Sequence, residues 1–500
     1  MRTKYSIKNS ITSFISNIVT FIFLFIGQTI FIKILGVEYV GLNGLFSNVL
    51  ILLDLFELGI GNAITYNLYK YTKINDEETI KSIMHFYKKA YYYISIIIFV
   101  IGLLIIPFLK YIVNDVTVDI NIYVVYILFL LSTISTYLIA YKRNLLNAYQ
   151  RNYISNLIHI LCVILVNILQ ILVLYFTKNY YLYLIIKLIC ILLENILITF
   201  KANSDYSFIV DKNVKPLDKD IKRSIINRVK ALIIHKASSA VKNGTDNIII
   251  SAFLGIKTLG LYTNYFYIIK TVKSLLINTI SITSSVGNLL LENNYEKSYI
   301  TFRKINFIFL WLSIFTSTCL LLLTEPFISL WVGKDYLLDR FVLIVLVINY
   351  FQVIMRSSYS IFKDAAGIWI EDKYVPIIQI VINIVFSILL LKMVGLAGVF
   401  MGSIISNFAV WFYSYPKFIY KKLFKKNVYY YLLNRFKEVL LFIVILLVSY
   451  LVNMYSSNII TSFIICLLVP NILLYIVFYK TNEFTYFINL IKSAKYVFKK

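Results

Sequence analysis

Charged residues are scarce in this 500-residue chain, where Asp, Glu, Lys and Arg make up only 15%. A soluble domain keeps about a quarter of its residues charged. Hydrophobic residues make up 60%, and only 6 prolines and 16 glycines interrupt their long runs. Runs of about 20 apolar residues cross a bilayer as helices, which satisfy their own backbone hydrogen bonds in lipid. The composition therefore excludes a soluble globular fold and predicts an all-α integral membrane protein.

Cysteine, histidine and catalytic motifs are also sparse. The four cysteines lie inside apolar runs without metal-site spacing, which predicts small buried hydrophobic side chains. The three histidines are scattered, and the chain has no Walker loop, GxSxG or HExxH motif. We therefore expect no enzyme activity, no metal and no cofactor. The one small ion that we would expect is a coupled proton or sodium ion.

Acidic residues are few beside the basic ones, with 24 Asp and Glu against 49 Lys and Arg. On a soluble protein a net charge of +25 would suggest nucleic-acid binding. Here the basic residues fall between apolar runs, where they orient helices and contact anionic headgroups. We expect membrane lipids as partners and no nucleic acid.

The apolar runs predict about fourteen transmembrane helices. With the N-terminus in the cytoplasm, 36 of the 49 Lys and Arg residues fall on the inside and 7 on the outside. This asymmetry follows the positive-inside rule and predicts that both termini are cytoplasmic. The predicted spans are 10–35, 43–66, 91–113, 121–141, 154–176, 180–200, 236–254, 261–288, 305–324, 341–362, 375–393, 396–416, 437–454 and 458–479.

An internal repeat divides the chain. Leu35-Gly36-Val37 and Gly41-Leu42 recur as Leu254-Gly255-Ile256 and Gly260-Leu261, both at an offset of 219 residues. Both copies follow the first helix of a half on the same side of the membrane, which is typical of parallel-repeat transporters. The predicted domains are a six-helix bundle (1–200), a cytoplasmic connecting loop (201–235), a second six-helix bundle (236–416), and two extra helices with a basic cytoplasmic tail (417–500). The tail is interpreted either as an amphipathic interfacial helix or as disordered.

Polar residues inside the predicted spans recur at three-to-four spacing, so each set shares a helix face. Intramembrane charges are costly and usually face a cavity. The basic candidates for binding an anionic headgroup are Lys242, Lys270, Lys273 and Arg356. The candidates for lining the cavity or binding sugar are Asn17, Gln28, Asn243, Asn349 and Gln352. The candidates for ion coupling are Asp54, Glu57 and Asp246.

Simpler structural roles compete with these assignments. Lys242 and Asp246 are four residues apart and would pair along one helix. Lys187 would extend its ammonium group towards the membrane surface. Asp54 and Glu57 would cap neighbouring backbone. Span six also carries Glu194.

Three stretches resemble the polysaccharide transporter family, the O-antigen and capsule repeat-unit flippases of the multidrug/oligosaccharidyl-lipid/polysaccharide exporter (MOP) superfamily. They are LGVEYVGLNGLFSNVLILLDLFELGIGNAITYNLYK (35–70), NGTDNIIISAFLGIKTLGLYTNYFYI (243–268) and AAGIWIEDKYVPIIQIVINIVFSILLLKMVGLAGVFMGSIISN (365–407). Their order and spacing match, and the resemblance covers nearly the whole chain. Relatives often carry Arg after the Glu-Asp pair of the third stretch, where this chain has Lys373.

The resemblance implies a V-shaped cavity between two bundles and transport by alternating access. It implies an undecaprenyl-pyrophosphate-linked oligosaccharide as substrate, whose pyrophosphate would meet cationic cavity residues. It also implies a bacterial cytoplasmic membrane location and contact with other polysaccharide-assembly proteins.

Two other functions stay open. A multidrug antiporter of the same superfamily would share the fold, but it would export cations, and a basic cavity disfavours that. A membrane O-antigen polymerase would carry a large outside loop, and the longest one here, about 325–340, is short.

Overall fold

The described residues fold into helices and the short segments that connect them, as a computed structural model shows. The model describes residues 2–53, 68–72, 74–114, 117–211, 213–279, 286–287, 289–290, 292, 294–368, 371–372, 374–456 and 458–497, and no strand occurs among them. The chain divides into two compact units, Met1–Gly260 and Leu261–Lys500. The all-α prediction is confirmed.

Among the described residues, seven helices of nine or more residues lie wholly in the first unit, and an eighth contributes residues to both units. The seven are α1 (Arg2–Leu35), α2 (Val37–Leu53), α3 (Glu77–Ile105), α4 (Ile122–Tyr137), α5 (Ala140–Ala148), α6 (Asn152–Thr177) and α7 (Tyr180–Asp205). The eighth, α8 (Lys219–Thr279), breaks at Gly255.

The second unit continues with seven more helices. They are α9 (Tyr295–Trp331), α10 (Arg340–Ala365), α11 (Tyr374–Val394), α12 (Leu396–Ala409, prolonged as a π-helix over Val410–Leu423), α13 (Val428–Asn453), α14 (Ile459–Phe478) and α15 (Asn482–Val497). Most of the surface of α9, α10 and α12 is buried, whereas α11, α13 and α14 expose apolar faces that suit lipid.

Asparagine and aspartate begin many of these helices. Their side-chain oxygens accept hydrogen bonds from backbone N–H groups of the first turn, which have no partner within the helix. The N-cap residues are Asp76 (α3), Asn121 (α4), Asn179 (α7), Asn294 (α9), Asp339 (α10), Asn427 (α13) and Asn458 (α14). The polar residues beside the apolar runs therefore determine where the helices begin.

Within the described residues, eleven helical segments are long and apolar enough to cross a membrane. They coincide with eleven of the fourteen predicted spans. The span 43–66 is described only to residue 53, and the spans 236–254 and 261–288 fall on α8, which is more polar.

The helices extend beyond the apolar runs that predict them. Helix α7 ends at Asp205 and helix α8 begins at Lys219, so most of the charged segment 201–235 is helical. The tail forms α15, in which Glu483 pairs with Arg303 at 2.8 Å and Phe484 stacks on Trp311. Hydropathy detects only the part of a helix that lies in lipid, because charged residues continue the same backbone geometry into water. Of the two interpretations of the tail, the structure supports a helix.

The two copies of the internal repeat have equivalent backbone geometry, and both lie in the first unit. Gly36 and Gly255 both adopt positive φ, +95° and +82°, at a break between helical segments. A Cβ on Gly41 would lie 2.2 Å from the Ile256 carbonyl oxygen, and a Cβ on Gly260 would lie 2.2 Å from the Val37 carbonyl oxygen. Since Val37 and Ile256 are themselves equivalent, the two contacts are related as in a two-fold interface.

The break at Gly255 is held by the segment that follows α3. The backbone N–H of Ile256 donates to the Asn114 carbonyl at 3.1 Å, and the Asn114 amide donates to the Ala252 carbonyl at 2.5 Å. Ser251 donates to the Ile112 carbonyl at 2.7 Å. These bonds satisfy backbone groups that the interruption of α8 exposes.

Candidate functional site

Arg356 lies at the centre of a polar network inside the second unit. Its Nη1 donates to Asn407 Oδ1 at 2.9 Å, and its Nε reaches the Tyr415 hydroxyl at 3.4 Å. Asn407, on α12, is fully buried. It also accepts from Gln379 at 2.8 Å and donates to Gln352 at 2.8 Å. The amides of three helices thus fix the direction of the guanidinium group.

Two lysines of α8 belong to the same region of the second unit. Lys273 is partly buried and lies close enough to Arg356 and Lys270 for their charges to repel. Lys273 has no hydrogen-bond or ion-pair partner within the described residues. The Lys270 ammonium is exposed and sits 5.7 Å from the Phe266 ring.

A fourth cation, Lys363, lies two turns beyond Arg356 on α10, close enough for the two positive charges to repel each other. It pairs with Asp372, which is buried and also accepts from the Ser414 hydroxyl at 2.9 Å. Glu371, the residue before Asp372, accepts from the ammonium of Lys422, which holds the pKa of the Glu371 carboxyl below its usual range. This arrangement ties the α10–α11 turn to the π-helical part of α12.

We call Lys270, Lys273, Arg356 and Lys363 the basic cluster. Asp364 and Asp372 are the carboxylates that interact with it among the described residues, so positive charge is in excess. A guanidinium group binds phosphate through a planar fork, and lysines add mobile point charges. The described residues contain no group of three or more His, Cys, Asp or Glu that could hold a metal ion. An excess of positive charge of this kind suits an anionic group.

The structure brings several sequence-predicted residues together. Lys270, Lys273 and Arg356 share the basic cluster, and Gln352 joins Arg356 through Asn407. Asn349 lies one turn before Gln352 on α10, and its buried Oδ1 has no hydrogen-bond partner among the described residues.

The other predicted residues lie in the first unit or outside the described part of the chain. Asn17 is exposed and Gln28 partly buried, both on α1, and Asp246 is partly buried on α8. The backbone of Lys242 and Asn243 is helical, but their side chains are outside the described part. Asp54 and Glu57 lie outside the described residues altogether.

Sequence reasoning missed Asn407, Gln379 and the Lys363–Asp372 pair. Asn407 and Gln379 are single amides in strongly apolar runs, which was the available signal, because such amides need a buried partner. Lys363 and Asp372 are nine residues apart and lie at the ends of predicted spans, so they resemble ordinary loop charges.

An elongated groove of about 490 Å³ lies beside this region in the second unit, between α9, α13 and α14. Most of its surface is apolar, and the polar residues that line it are Arg303, Asn306, Asn434, Lys437, Glu438, Thr481 and Glu483. Asn306 donates to Glu438 at 2.8 Å and accepts from the Ser358 hydroxyl at 2.8 Å. Arg435 pairs with Glu438 and is buried against the Tyr359 ring. The groove suits an apolar chain.

The first unit contains a second polar centre. Glu194 on α7 accepts from Arg143 at 2.6 Å and lies 3.2 Å from His159 Nδ1. This arrangement explains one intramembrane carboxylate as a satisfied ion pair joining α5, α6 and α7.

No protein-family model and no curated protein matches the sequence. Several solved structures match in fold. One is the lipid II flippase MurJ in an inward closed conformation, with a TM-score of 0.63 and 17% identity over 94% of this chain and 98% of that chain. Another is an inward-facing multidrug resistance MATE family transporter of the MOP superfamily, with a TM-score of 0.59 and 15% identity over 78% of this chain and 90% of that chain.

A third match is a MOP superfamily transporter from Pyrococcus furiosus, whose binding pocket is described as having reverse polarity that suggests a different function. Its TM-score is 0.52, with 15% identity over 81% of this chain and 92% of that chain. Together these likenesses show that the chain has the fold of MOP superfamily transporters, and its apolar helices are those of a multi-pass membrane protein.

Proposed function

We propose that this protein is a flippase that carries an undecaprenyl-pyrophosphate-linked oligosaccharide repeat unit across the bacterial cytoplasmic membrane for surface polysaccharide biosynthesis. The observation that carries the proposal is the basic cluster, in which Arg356 is oriented by Asn407 beside Lys273 and Lys270. A pyrophosphate is the headgroup that such a concentration of cations suits best.

The location of the cluster supports a lipid-linked substrate over a soluble anion. The groove between α9, α13 and α14 offers a mostly apolar surface in the same unit. The second unit therefore contains cations that suit a phosphate and a surface that suits a lipid chain. The fold is shared with a lipid II flippase, which also moves a lipid-linked molecule. The neighbouring amides of Gln352 and Asn349 suit sugar hydroxyls.

The positive charge of the basic cluster disfavours the main alternative, a multidrug antiporter. A multidrug antiporter that exports cations would bring positive charge towards Arg356 and Lys273, and like charges repel strongly where the dielectric constant is low. An O-antigen polymerase is disfavoured because the fold is that of transporters.

The proposal includes alternating access, in which the substrate has different affinities for two states of the protein. No cofactor takes part. If a proton or sodium ion is coupled to transport, Asp54, Glu57 and Asp246 remain our candidates. Other polysaccharide-assembly proteins would supply and remove the substrate.

Reconstitution in liposomes tests the proposal. A fluorescent undecaprenyl-pyrophosphate oligosaccharide is added, and its accessibility to an external quencher is followed with and without proton and sodium gradients. Removing a charged hydrogen bond costs about 1.5–3 kcal/mol, so Arg356→Met should slow translocation about 10- to 100-fold. Neutralising Lys270 and Lys273 as well should abolish it.

Lys392→Met is the matched control, because Lys392 is an exposed cation at the end of α11 in the same unit. It should translocate like the wild type. Unchanged translocation in the triple variant would refute the role of the basic cluster. Efflux of a cationic dye under an ion gradient, without lipid translocation, would establish the antiporter instead.

A further inference from the structure

A cavity of about 290 Å³ lies in the first unit, and Lys187 of the sixth predicted span is part of its lining. Three helices, α2, α4 and α7, form its walls. Its polar and aromatic lining is Ser47, Phe129, Ser132, Thr133, Thr136, Tyr137 and Lys187.

Lys187 is the one charged residue that lines the described cavity. It lies on α7, within a membrane-spanning segment, and its ammonium group is 4.8 Å from the centroid of the Phe129 ring. No carboxylate lies within ion-pair distance of it among the described residues. A cation at such a position is costly unless it has a function or a partner, and the ring supplies only a weak one.

Two of the hydroxyl groups that line the cavity donate to helix backbone. Ser132 donates to the Leu128 carbonyl at 2.8 Å, and Thr136 donates to the Thr133 carbonyl at 2.7 Å. A hydroxyl has one proton and two lone pairs, so both oxygens remain available only as acceptors. The cavity therefore combines one cation, acceptor oxygens and aromatic surface.

This combination selects among small ligands. A small inorganic anion would pair with Lys187 but would leave the acceptor oxygens of Ser132 and Thr136 without donors. A neutral sugar would donate to those oxygens but would leave the ammonium group without a counter-charge. A sugar carrying a carboxylate satisfies both, and its apolar ring face packs on Phe129 and Tyr137. Pockets for drug-sized ligands measure about 300–1,000 Å³, so this one has room for about one sugar residue.

We infer that this cavity is a subsite for an acidic sugar residue, with Lys187 binding the carboxylate and Ser132 and Thr136 accepting from ring hydroxyls. The inference rests on the proposed function, because it assigns an acidic residue to the oligosaccharide that the protein carries. It names a specificity determinant in the first unit, distinct from the basic cluster of the second.

Binding of free sugars to the purified full-length protein tests the inference directly. Saturation-transfer NMR compares glucuronate with glucose. Signal should transfer to glucuronate in the wild type, transfer to glucose should be at least several-fold weaker, and Lys187→Met should lose the glucuronate signal. Thr136→Val, which keeps the charge and removes an acceptor, should weaken glucuronate binding several-fold.

Lys110→Met is the matched control, because Lys110 also lies over an aromatic ring, at 4.9 Å from Tyr111, but lines no part of this cavity. It should bind glucuronate like the wild type. No transfer to glucuronate in the wild type, or equal transfer in Lys187→Met, would overturn the inference. If chloride displaced glucuronate and glucose did not compete with chloride, the cavity would be an inorganic-anion site. That result would overturn the inference too.

Translocation of lipid-linked substrates separates this inference from the proposed function. With paired repeat units that differ only in a glucuronate or a glucose residue, Lys187→Met should slow the acidic one about tenfold and leave the neutral one unchanged. Equal rates for both in every variant would overturn the acidic subsite and leave the flippase proposal intact. Glucuronate binding at Lys187 without translocation of either substrate would refute the flippase proposal alone.

Discussion

At the scale of single residues, buried amides determine what Arg356 can do. Asn407 accepts from Arg356 and Gln379 through one oxygen and donates to Gln352 through its nitrogen. Because these partners are neutral, they orient the guanidinium group without cancelling its charge. A carboxylate at position 407 would form a stronger bond and would reduce the excess positive charge on which the proposed anion binding depends.

The pair Lys363–Asp372 gives a prediction at this scale. Both side chains are largely buried, so Asp372→Asn should leave an uncompensated charge near Arg356 and lower the free energy of unfolding by about 3–5 kcal/mol. The double variant Asp372→Asn/Lys363→Met removes both charges and should recover most of that loss. Thermal unfolding in detergent measures both, and additive losses would show that the pair is not coupled.

At the scale of the helices, glycine positions determine how closely segments approach. Gly36 and Gly255 provide the positive φ values at two equivalent breaks, and Gly41 and Gly260 let helical backbone approach a carbonyl oxygen. Residues with a Cβ rarely adopt the first conformation and would collide in the second.

Alanine substitutions test the glycine contact. Gly41→Ala and Gly260→Ala should each lower the free energy of unfolding by about 1–3 kcal/mol, because either methyl group would collide with backbone. Their effects should not add, since both enter the same contact. Gly287→Ala, whose Cβ would meet no atom within 4 Å, is the control and should leave stability unchanged. Equal stability of Gly41→Ala and Gly287→Ala would contradict the contact.

At the scale of the whole molecule, the distribution of Lys and Arg predicts the orientation in the membrane. The native cysteines suit a labelling test, because Cys162, Cys190 and Cys466 are buried and Cys319 is partly buried. An exposed cysteine introduced on either side should then dominate the reaction with a membrane-impermeant maleimide.

Labelling of intact cells checks this topology. Asn213→Cys, in the predicted cytoplasmic segment, should react only after the cells are opened. Lys334→Cys, in the predicted outside loop, should react in intact cells. The opposite pattern would place both termini outside and would reverse the direction assigned to transport.

Most of the fold was predictable from the sequence, because local sequence features indicate each helix. An apolar run shows a span, an adjacent Asn or Asp shows where the helix begins, and the repeated glycines show that two segments are equivalent. The helical extensions over 219–235 and 295–304 were not predictable from hydropathy, because a charged segment in water can be either helical or non-helical.

The candidate site was predictable in part. Lys270, Lys273 and Arg356 stand out as rare charges within apolar runs, and the structure brings them together. The partners of Arg356 did not stand out, because one amide in a helix carries no information about which distant helix faces it. The cavity at Lys187 was not predictable for the same reason, because its lining comes from three helices that are far apart in sequence.

The sequence by itself determined the class of the protein: a many-helix membrane protein with excess positive charge and an internal repeat, because composition and periodicity act over one helix at a time. Only the tertiary structure decided which polar groups meet, because packing brings together residues that the chain separates. Asn407 with Arg356, Asp372 with Lys363, and Lys187 with Phe129 are contacts of this kind.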